Sequence, residues 1–413
     1  MASTYPSPQL EVARDLSASS YALEEWACGI LDAGTPSVQL AVFRDGCRQV
    51  SLAAGYSPSG QRAVSRSSLY CLYSSSKLIS ALALYALHDR GYFEWDDPIE
   101  KHWPAFGGNG KQQVTIRHMI SHRAGLAKEP SGTSWPLWRS RQETARWLER
   151  QTLKWPAGSD VGYHNRTWGF VLDHLVWLWT GLTTGEFLRR DLLDPVGVDH
   201  LYYGISREQY ERAFVKTEMI GEPGEPPEPA RLEFRPRIGG EENMFNSFEL
   251  MSLGLTWGSV VGTAEAAAEI AQVLAGGGLL RAVRLFSEST FNDLRELQGP
   301  GGEIDKTLAG PARWGLGVQL DLFPDIPELK GTLGHSGGST VHLWVRPELR
   351  LTACCILGAR SAVGRGPVPG MAIGTEQQRK NVAEYRAARA NWQEGFARAV
   401  MRDFLSAHPA AVS

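Results

Sequence analysis

Strand-forming sequence stands at both ends of this 413-residue chain, and helical sequence fills the long stretch between, so the two ends are expected to meet in one sheet. Near the start, an amphipathic helical pattern over 17–31 is followed by Val38-Gln39-Leu40-Ala41-Val42-Phe43, a turn at Arg44-Asp45-Gly46, and a second run over 49–54. Asp-Gly between two β-prone runs is hairpin chemistry, because both turn residues tolerate positive φ. Near the end, 314–320, 340–345 and 349–357 read as strands, and 376–405 as one or two closing helices. Between them, 78–87, 116–121, 142–152, 168–179 and 264–275 carry apolar residues at helical spacing.

This arrangement predicts an α/β (α+β) fold: an antiparallel sheet built from both chain ends and flanked by helices, with an inserted all-helical lobe. The expected sheet lobe is 1–77 with 306–413, the helical lobe is 78–305, and the active site lies at the seam. Proline and glycine clusters at 221–229 and 364–374 read as loops.

Several function classes are set aside by composition. Hydrophobic residues make up 43% and charged residues 21% of the chain, which is globular and not disordered usage. Net charge is −3 with the signs interspersed, so the counterion-releasing basic stripe of a nucleic-acid partner is missing. The apolar stretches are broken by His, Asp or Arg well short of the ~20 residues that span a bilayer, so no membrane partner is expected. Residues 1–16 lack a basic segment followed by an apolar run, which points to a cytoplasmic location. Five cysteines (Cys28, Cys47, Cys71, Cys354 and Cys355) show no paired spacing and read as reduced thiols, the last two as small core residues.

Three short segments carry chemistry. In Ser74-Ser75-Ser76-Lys77, ahead of an apolar helical run, the lysine lies one turn beyond the first serine and on the same face. A serine hydroxyl is a poor nucleophile until a neighbouring base takes its proton, and a desolvated lysine amine can do so. In Tyr163-His164-Asn165, residues i and i+2 of a loop project to one side, offering a phenol for proton relay and an amide for a polar substrate group. His164 is expected to point away. In Gly334-His335-Ser336-Gly337-Gly338, before a strand, glycines let backbone approach a ligand and present an N–H to an oxyanion. His118 and His122 are spaced four apart on a helix like a metal pair; no metal or cofactor is expected.

In this order the three segments resemble the Ser-x-x-Lys, Tyr-x-Asn and Lys/His-x-Gly motifs of the serine β-lactamase and penicillin-binding-protein superfamily. The branch they are most similar to holds class C enzymes, D-Ala-D-Ala carboxypeptidases, D-aminopeptidases, esterases and acyltransferases. Further segments resemble landmarks of that family: 91–99, 114–126, Trp314-Gly315-Leu316-Gly317, and 261–278; the second of these implies that His118 and His122 are packing residues at a helix end. The resemblance implies Ser74 as nucleophile, Lys77 and Tyr163 as the proton-transfer pair, and the backbone N–H groups of Ser74 and Gly338 as the oxyanion hole. Asn165, which would also orient Lys77, is implied as substrate-binding together with His335, Ser336 and Gly337. His335 stands where many β-lactamases carry lysine, which fits esterases and peptidases as much as β-lactam hydrolysis. The expected activity is an intracellular ester or thioester hydrolase or acyltransferase, taking a small-molecule acyl donor and water or a metabolite acceptor. A D-amino-acid amide or peptide hydrolase, a weak β-lactamase and an idle binding protein are the alternatives. Eight tryptophans (Trp135, Trp138, Trp147, Trp155, Trp168, Trp177, Trp179 and Trp257) fall in the helical lobe and suggest a partly apolar acyl group.

Overall fold

The computed structural model describes residues 10–14, 20–33, 35–57, 62–127, 135–220, 244–308, 310–338, 340–361 and 392–404. The loop clusters at 221–229 and 364–374, and 376–391 of the expected closing helices, lie outside the described residues; 392–404 is a helix.

The two ends of the chain meet as the strand pattern requires. Seven antiparallel strands form one sheet in the order Leu10–Arg14, Cys47–Gly55, Ser37–Arg44, Leu351–Leu357, Val341–Arg346, Leu333–Gly337 and Gln319–Leu320. The join between early and late sequence is the pairing of Ser37–Arg44 with Leu351–Leu357, in which Cys354 faces Ala41 and Cys355 faces Leu40. The hairpin turns at Asp45 (φ 52°) and Gly46 (φ 76°), the two positive φ angles its sequence allows.

Both faces of the sheet are covered, which is why its central strands read as unbroken apolar runs. Along Ser37–Arg44, Val38, Leu40 and Val42 enter one core with the helix Tyr21–Asp32 and Phe396, Val400 and Phe404 of 392–404. Ala41 and Phe43 face the larger core, shared with the helical part of the chain. Cys354 and Cys355 split between the two cores as small buried thiols, and burial pushes both thiol pKa values up.

The middle of the chain is mainly helical but not wholly so. Leu201–Tyr203 and Val260–Gly262 are short strands, and with Tyr70–Cys71 they make a separate antiparallel sheet of three strands. The helix Ala264–Ala275 packs on the seven-stranded sheet itself. Its alanines permit close approach, and Gln272 donates to the Phe43 carbonyl at 3.1 Å and to Thr352 Oγ1 at 2.9 Å. Sequence pattern misses both features because a strand of three residues has no measurable period, and an apolar helix face does not say which partner covers it.

At the centre lies the helix Ser76–Asp89, buried at every position from Ser76 to Leu87 and therefore apolar on all sides. Tyr85 Oη donates to the Leu316 carbonyl at 2.5 Å, tying this helix to the Trp314–Gly317 segment. A Cβ on Gly317 (φ 76°) would stand 2.9 Å from Ala81 Cβ, so glycine is required where that segment crosses the helix. Among the described residues, no helix is long and apolar enough to cross a membrane.

Candidate active site

The short strand Tyr70–Cys71 is hydrogen-bonded beside Val260–Gly262, and Leu72 N continues the pairing to the Val260 carbonyl at 2.9 Å. The chain then makes a tight turn, Tyr73–Ser75, into the helix Ser76–Asp89. Tyr73 sits at φ 46°, a left-handed conformation that is strained for a bulky residue and is stored where surrounding structure over-determines it.

Of the three serines here, two are spent on scaffold. Ser75 Oγ donates to the His335 carbonyl at 2.8 Å, and Ser76 Oγ accepts from Val260 N at 3.3 Å; both residues are fully buried. Ser74 is half-buried and its hydroxyl takes no such bond. The turn is closed by Ser75 N bonding to the Leu72 carbonyl and Ser76 N to those of Tyr73 and Ser74, a pattern that does not use the Ser74 amide.

Lys77 is 1% exposed. Its Nζ donates to the backbone carbonyl of Trp257 at 2.7 Å and stands 4.9 Å from the centroid of the Tyr163 ring. Trp257 is placed by the helix Thr167–Thr180, where a Cβ on Gly169 would come within 2.8 Å of Trp257 Cβ. Thr256, one residue earlier, donates to the Asp173 carboxylate at 3.0 Å. Burial raises the pKa of Asp173 to about 7, opposed by its bonds from Thr184 and Thr256.

The Tyr163 loop is tied down on several sides. Asp305, 1% exposed, accepts the Tyr163 amide on Oδ1 at 3.0 Å, along with the amides of Thr307 and Leu308 at 2.8 Å each. Its Oδ2 accepts Trp314 Nε1 at 3.2 Å, and that indole stacks on the Tyr163 ring with centroids 5.6 Å apart. His164 points away from the cleft, as alternation predicts. Its Nδ1 lies 2.6 Å from the Gly162 carbonyl, and its Nε2 accepts Leu126 N at 2.9 Å. Those partners fix a neutral imidazole protonated on Nδ1, and burial depresses its pKa to about 3.

The third segment is the strand Leu333–Gly337, which ends against the Tyr73–Ser75 turn. A Cβ on Gly337 would stand 2.3 Å from the Leu72 carbonyl oxygen and 3.0 Å from Ser75 N. Gly338, at φ 56°, would bring a Cβ to 2.7 Å from the Tyr73 ring. Only glycine permits so close a crossing at these two positions. His335 faces Tyr163 and Trp314, with ring centroids 5.9 Å and 5.8 Å away.

One expected binding residue is placed differently. Ser336, next in the alternation, turns to the opposite face, where Oγ pairs with His342 Nδ1 at 3.0 Å. Its hydroxyl is thereby engaged in the scaffold and not aimed beside His335. Asn165 is half-buried next to Arg166, whose guanidinium lies 5.0 Å from the Trp138 ring and 5.3 Å from that of Trp257. The backbone acceptor for Lys77 is supplied by Trp257, which the motifs do not name. His118 and His122 do not share a helix: Ile116–Ile120 ends before His122, which turns back at φ 64°, while His118 Nδ1 accepts Thr115 N at the helix start. Among the described residues, no cluster of His, Cys, Asp and Glu is arranged to hold a metal ion.

The β-lactamase family model matches residues 18–356, a span containing all three segments. The chain belongs to the β-lactamase family. This is a family of serine hydrolases that includes esterases, carboxypeptidases and amidases, and the seven-stranded antiparallel sheet flanked by helices is its fold. Among curated proteins, the esterase/beta-lactamase LipL of Mycobacterium tuberculosis is 31% identical over 169 residues, 40% of this chain and 38% of that one. Penicillin-binding protein 4* of Bacillus subtilis is 24% identical over 39% of this chain and 40% of its own. The matched stretches therefore span less than half the length of these relatives. Of solved structures, a family VIII carboxylesterase superposes with a TM-score of 0.74 at 17% identity, covering 92% of this chain and all of that one. A penicillin-binding protein homolog from Caulobacter crescentus gives 0.73 at 23% identity, over 85% and 94%.

Proposed function

We propose that this β-lactamase-family chain is a serine-dependent ester or thioester hydrolase or acyltransferase that works through a covalent acyl-Ser74 intermediate. The observation that carries the reading is one convergence. The Ser74 turn is crossed at van der Waals limits by Gly337 and Gly338, while Lys77 Nζ lies over the Tyr163 ring at 4.9 Å.

In this reading the Ser74 hydroxyl attacks a carbonyl carbon and its proton passes to the Lys77/Tyr163 pair. The tetrahedral oxyanion is held by the amides of Ser74 and Gly338, one from each of the two segments that meet at the crossing. Collapse breaks the bond to the leaving group, which takes the proton back from the pair. Water, or a metabolite hydroxyl or thiol, then gives its proton to the same pair and attacks the acyl-enzyme, releasing Ser74.

The substrate side follows from what lines the turn. Tyr73 packs on Phe245 at 4.8 Å, and Phe245 on Trp257 at 6.1 Å, so the wall beside Ser74 is aromatic and suits an apolar acyl group. Asn165, His335 and the backbone of Gly337 would supply the polar contacts. The Ser336 hydroxyl, paired with His342, is not assigned one.

Intact-protein mass spectrometry after incubation with short-chain nitrophenyl esters and thioesters tests the reading. The expected result is a mass increase equal to the acyl group in the native protein and none in Ser74→Ala. Labelling of Ser74→Ala to the same extent would overturn it.

A further inference from the structure

We infer that His122 is a positioning residue for Tyr163, holding the phenol in register with Lys77; the inference rests on the catalytic reading of Tyr163 given above. His122 follows the helix Ile116–Ile120 and takes a left-handed backbone conformation, φ 64°. Few non-glycine residues adopt it, and it is maintained where a packed site demands it.

What the conformation achieves is visible in the bonds. The His122 carbonyl accepts Gly162 N at 3.0 Å, and its side-chain Nδ1 accepts His164 N at 3.1 Å. One residue thus grips the amides on either side of Tyr163. The amide of Tyr163 itself is held by Asp305 Oδ1 at 3.0 Å. Three consecutive loop amides are therefore fixed by two side chains and one carbonyl, and the residue in the middle of them carries the phenol.

The ring adds a third restraint. It lies 4.7 Å from the Tyr163 centroid and 4.3 Å from that of Trp314, whose indole stacks on Tyr163. His122 and Trp314 thereby limit where the phenol ring can swing. To accept the His164 amide, Nδ1 must carry a lone pair, so the imidazole is neutral and protonated on Nε2. Its surroundings keep it so: burial first, then the charges of His164, Lys77 and His335, hold its pKa well below the usual histidine value. His118, four residues earlier, spends its Nδ1 on its own helix start and touches none of this. A residue serving only to fill space would need neither the strained backbone nor the acceptor.

The test separates the acceptor from the bulk. His122→Gly suits the positive φ and removes the acceptor, whereas His122→Asn also tolerates that φ and returns an oxygen near the place of Nδ1. With a short-chain nitrophenyl ester, His122→Gly is expected to lower kcat roughly 10- to 100-fold, the scale of a sub-ångström to ångström misplacement of a reacting group, with KM little changed. His122→Asn is expected to recover most of that loss. Tyr163→Phe is assayed alongside. If Tyr163→Phe turns over at the native rate, the catalytic reading of the site fails and takes this inference with it. If Tyr163→Phe is inactive but His122→Gly keeps the native kcat, or His122→Asn stays as slow as His122→Gly, only the role of His122 is overturned. Should His122→Gly not fold, nitrogen NMR of the native imidazole decides: an unprotonated Nδ1 from about pH 5 to about pH 9 supports the inference, and a charged or Nδ1-protonated ring overturns it.

Discussion

Lys77 reaches past the Tyr73–Ser75 turn to the backbone of Trp257, its Nζ donating to that carbonyl at 2.7 Å with the residue only 1% exposed. The bond fixes the amine's position, and it gives each substitution at 77 a distinct outcome. Lys77→Ala removes the proposed base and leaves the Trp257 carbonyl without this donor, so turnover of an ester should fall by about 10²–10⁴-fold. Lys77→Arg keeps a donor but cannot release a proton near neutral pH, and should be as inactive. Combining Lys77→Ala with Tyr163→Phe should cost little more than the worse single change, because groups on one proton path do not add. Single-turnover acylation rates for the four proteins check this, and full additivity would refute a shared path.

Gly337→Ala should both destabilise the fold and silence the enzyme. Its Cβ would meet the Leu72 carbonyl oxygen at 2.3 Å, so the strand or the nucleophile turn must shift. Overpacking of this kind costs about 1–3 kcal/mol. Thermal melting should show the loss, and esterase activity should fall further than the unfolded fraction explains, because the shift moves Ser74 relative to Gly338.

Acid should weaken the fold through His164. Its folded pKa is about 3, set by burial, whereas an exposed imidazole titrates near 6.5. As pH falls below about 6.5 the unfolded chain takes up a proton that the folded chain refuses. The contribution to stability is therefore whole above that pH and declines towards about pH 3, by about 1.4 kcal/mol per pH unit. Melting temperatures measured from neutral to about pH 4 should fall, and His164→Gln should show a shallower fall. An unchanged slope in that variant would assign the acid sensitivity elsewhere.

His335→Lys tests the specificity side of the site. The imidazole lies within 6 Å of the Tyr163 and Trp314 rings, on the face of the strand that meets the cleft. A fixed cation there should raise kcat/KM for a carboxylate-bearing cephalosporin relative to a neutral ester. Equal effects on both substrates would remove His335 from the substrate's carboxylate position.

The ease with which this site is read from sequence varies by residue, for physical reasons. The convergence of Lys77, Tyr163 and Gly337 on the Ser74 turn is legible because each segment is recognised by side-chain type, or its absence, at a fixed spacing. The helix Ala264–Ala275 and the hairpin at Asp45-Gly46 are legible because period and turn chemistry are local. Trp257 escapes because it contributes a backbone carbonyl, which every residue possesses. Asp305 escapes because one aspartate among many becomes special only when three amides and an indole converge on it. His122 reads from sequence only as packing at a helix end, because spacing does not reveal a backbone turned to φ 64° with its Nδ1 on the His164 amide. Ser336 is assigned to substrate by its motif, although strand alternation turns it to His342.

Because Ser37–Arg44 pairs with Leu351–Leu357, and His335 accepts a bond from Ser75, a ribosome must release most of the polypeptide before the Ser74 turn has a wall to lean on. Contacts so distant along the chain fold slowly, since loop closure must be met before they reward it. Through most of synthesis the nascent chain therefore carries the Ser74 turn without the strand that crosses it, and that crossing forms only after the last strands of the sheet are made.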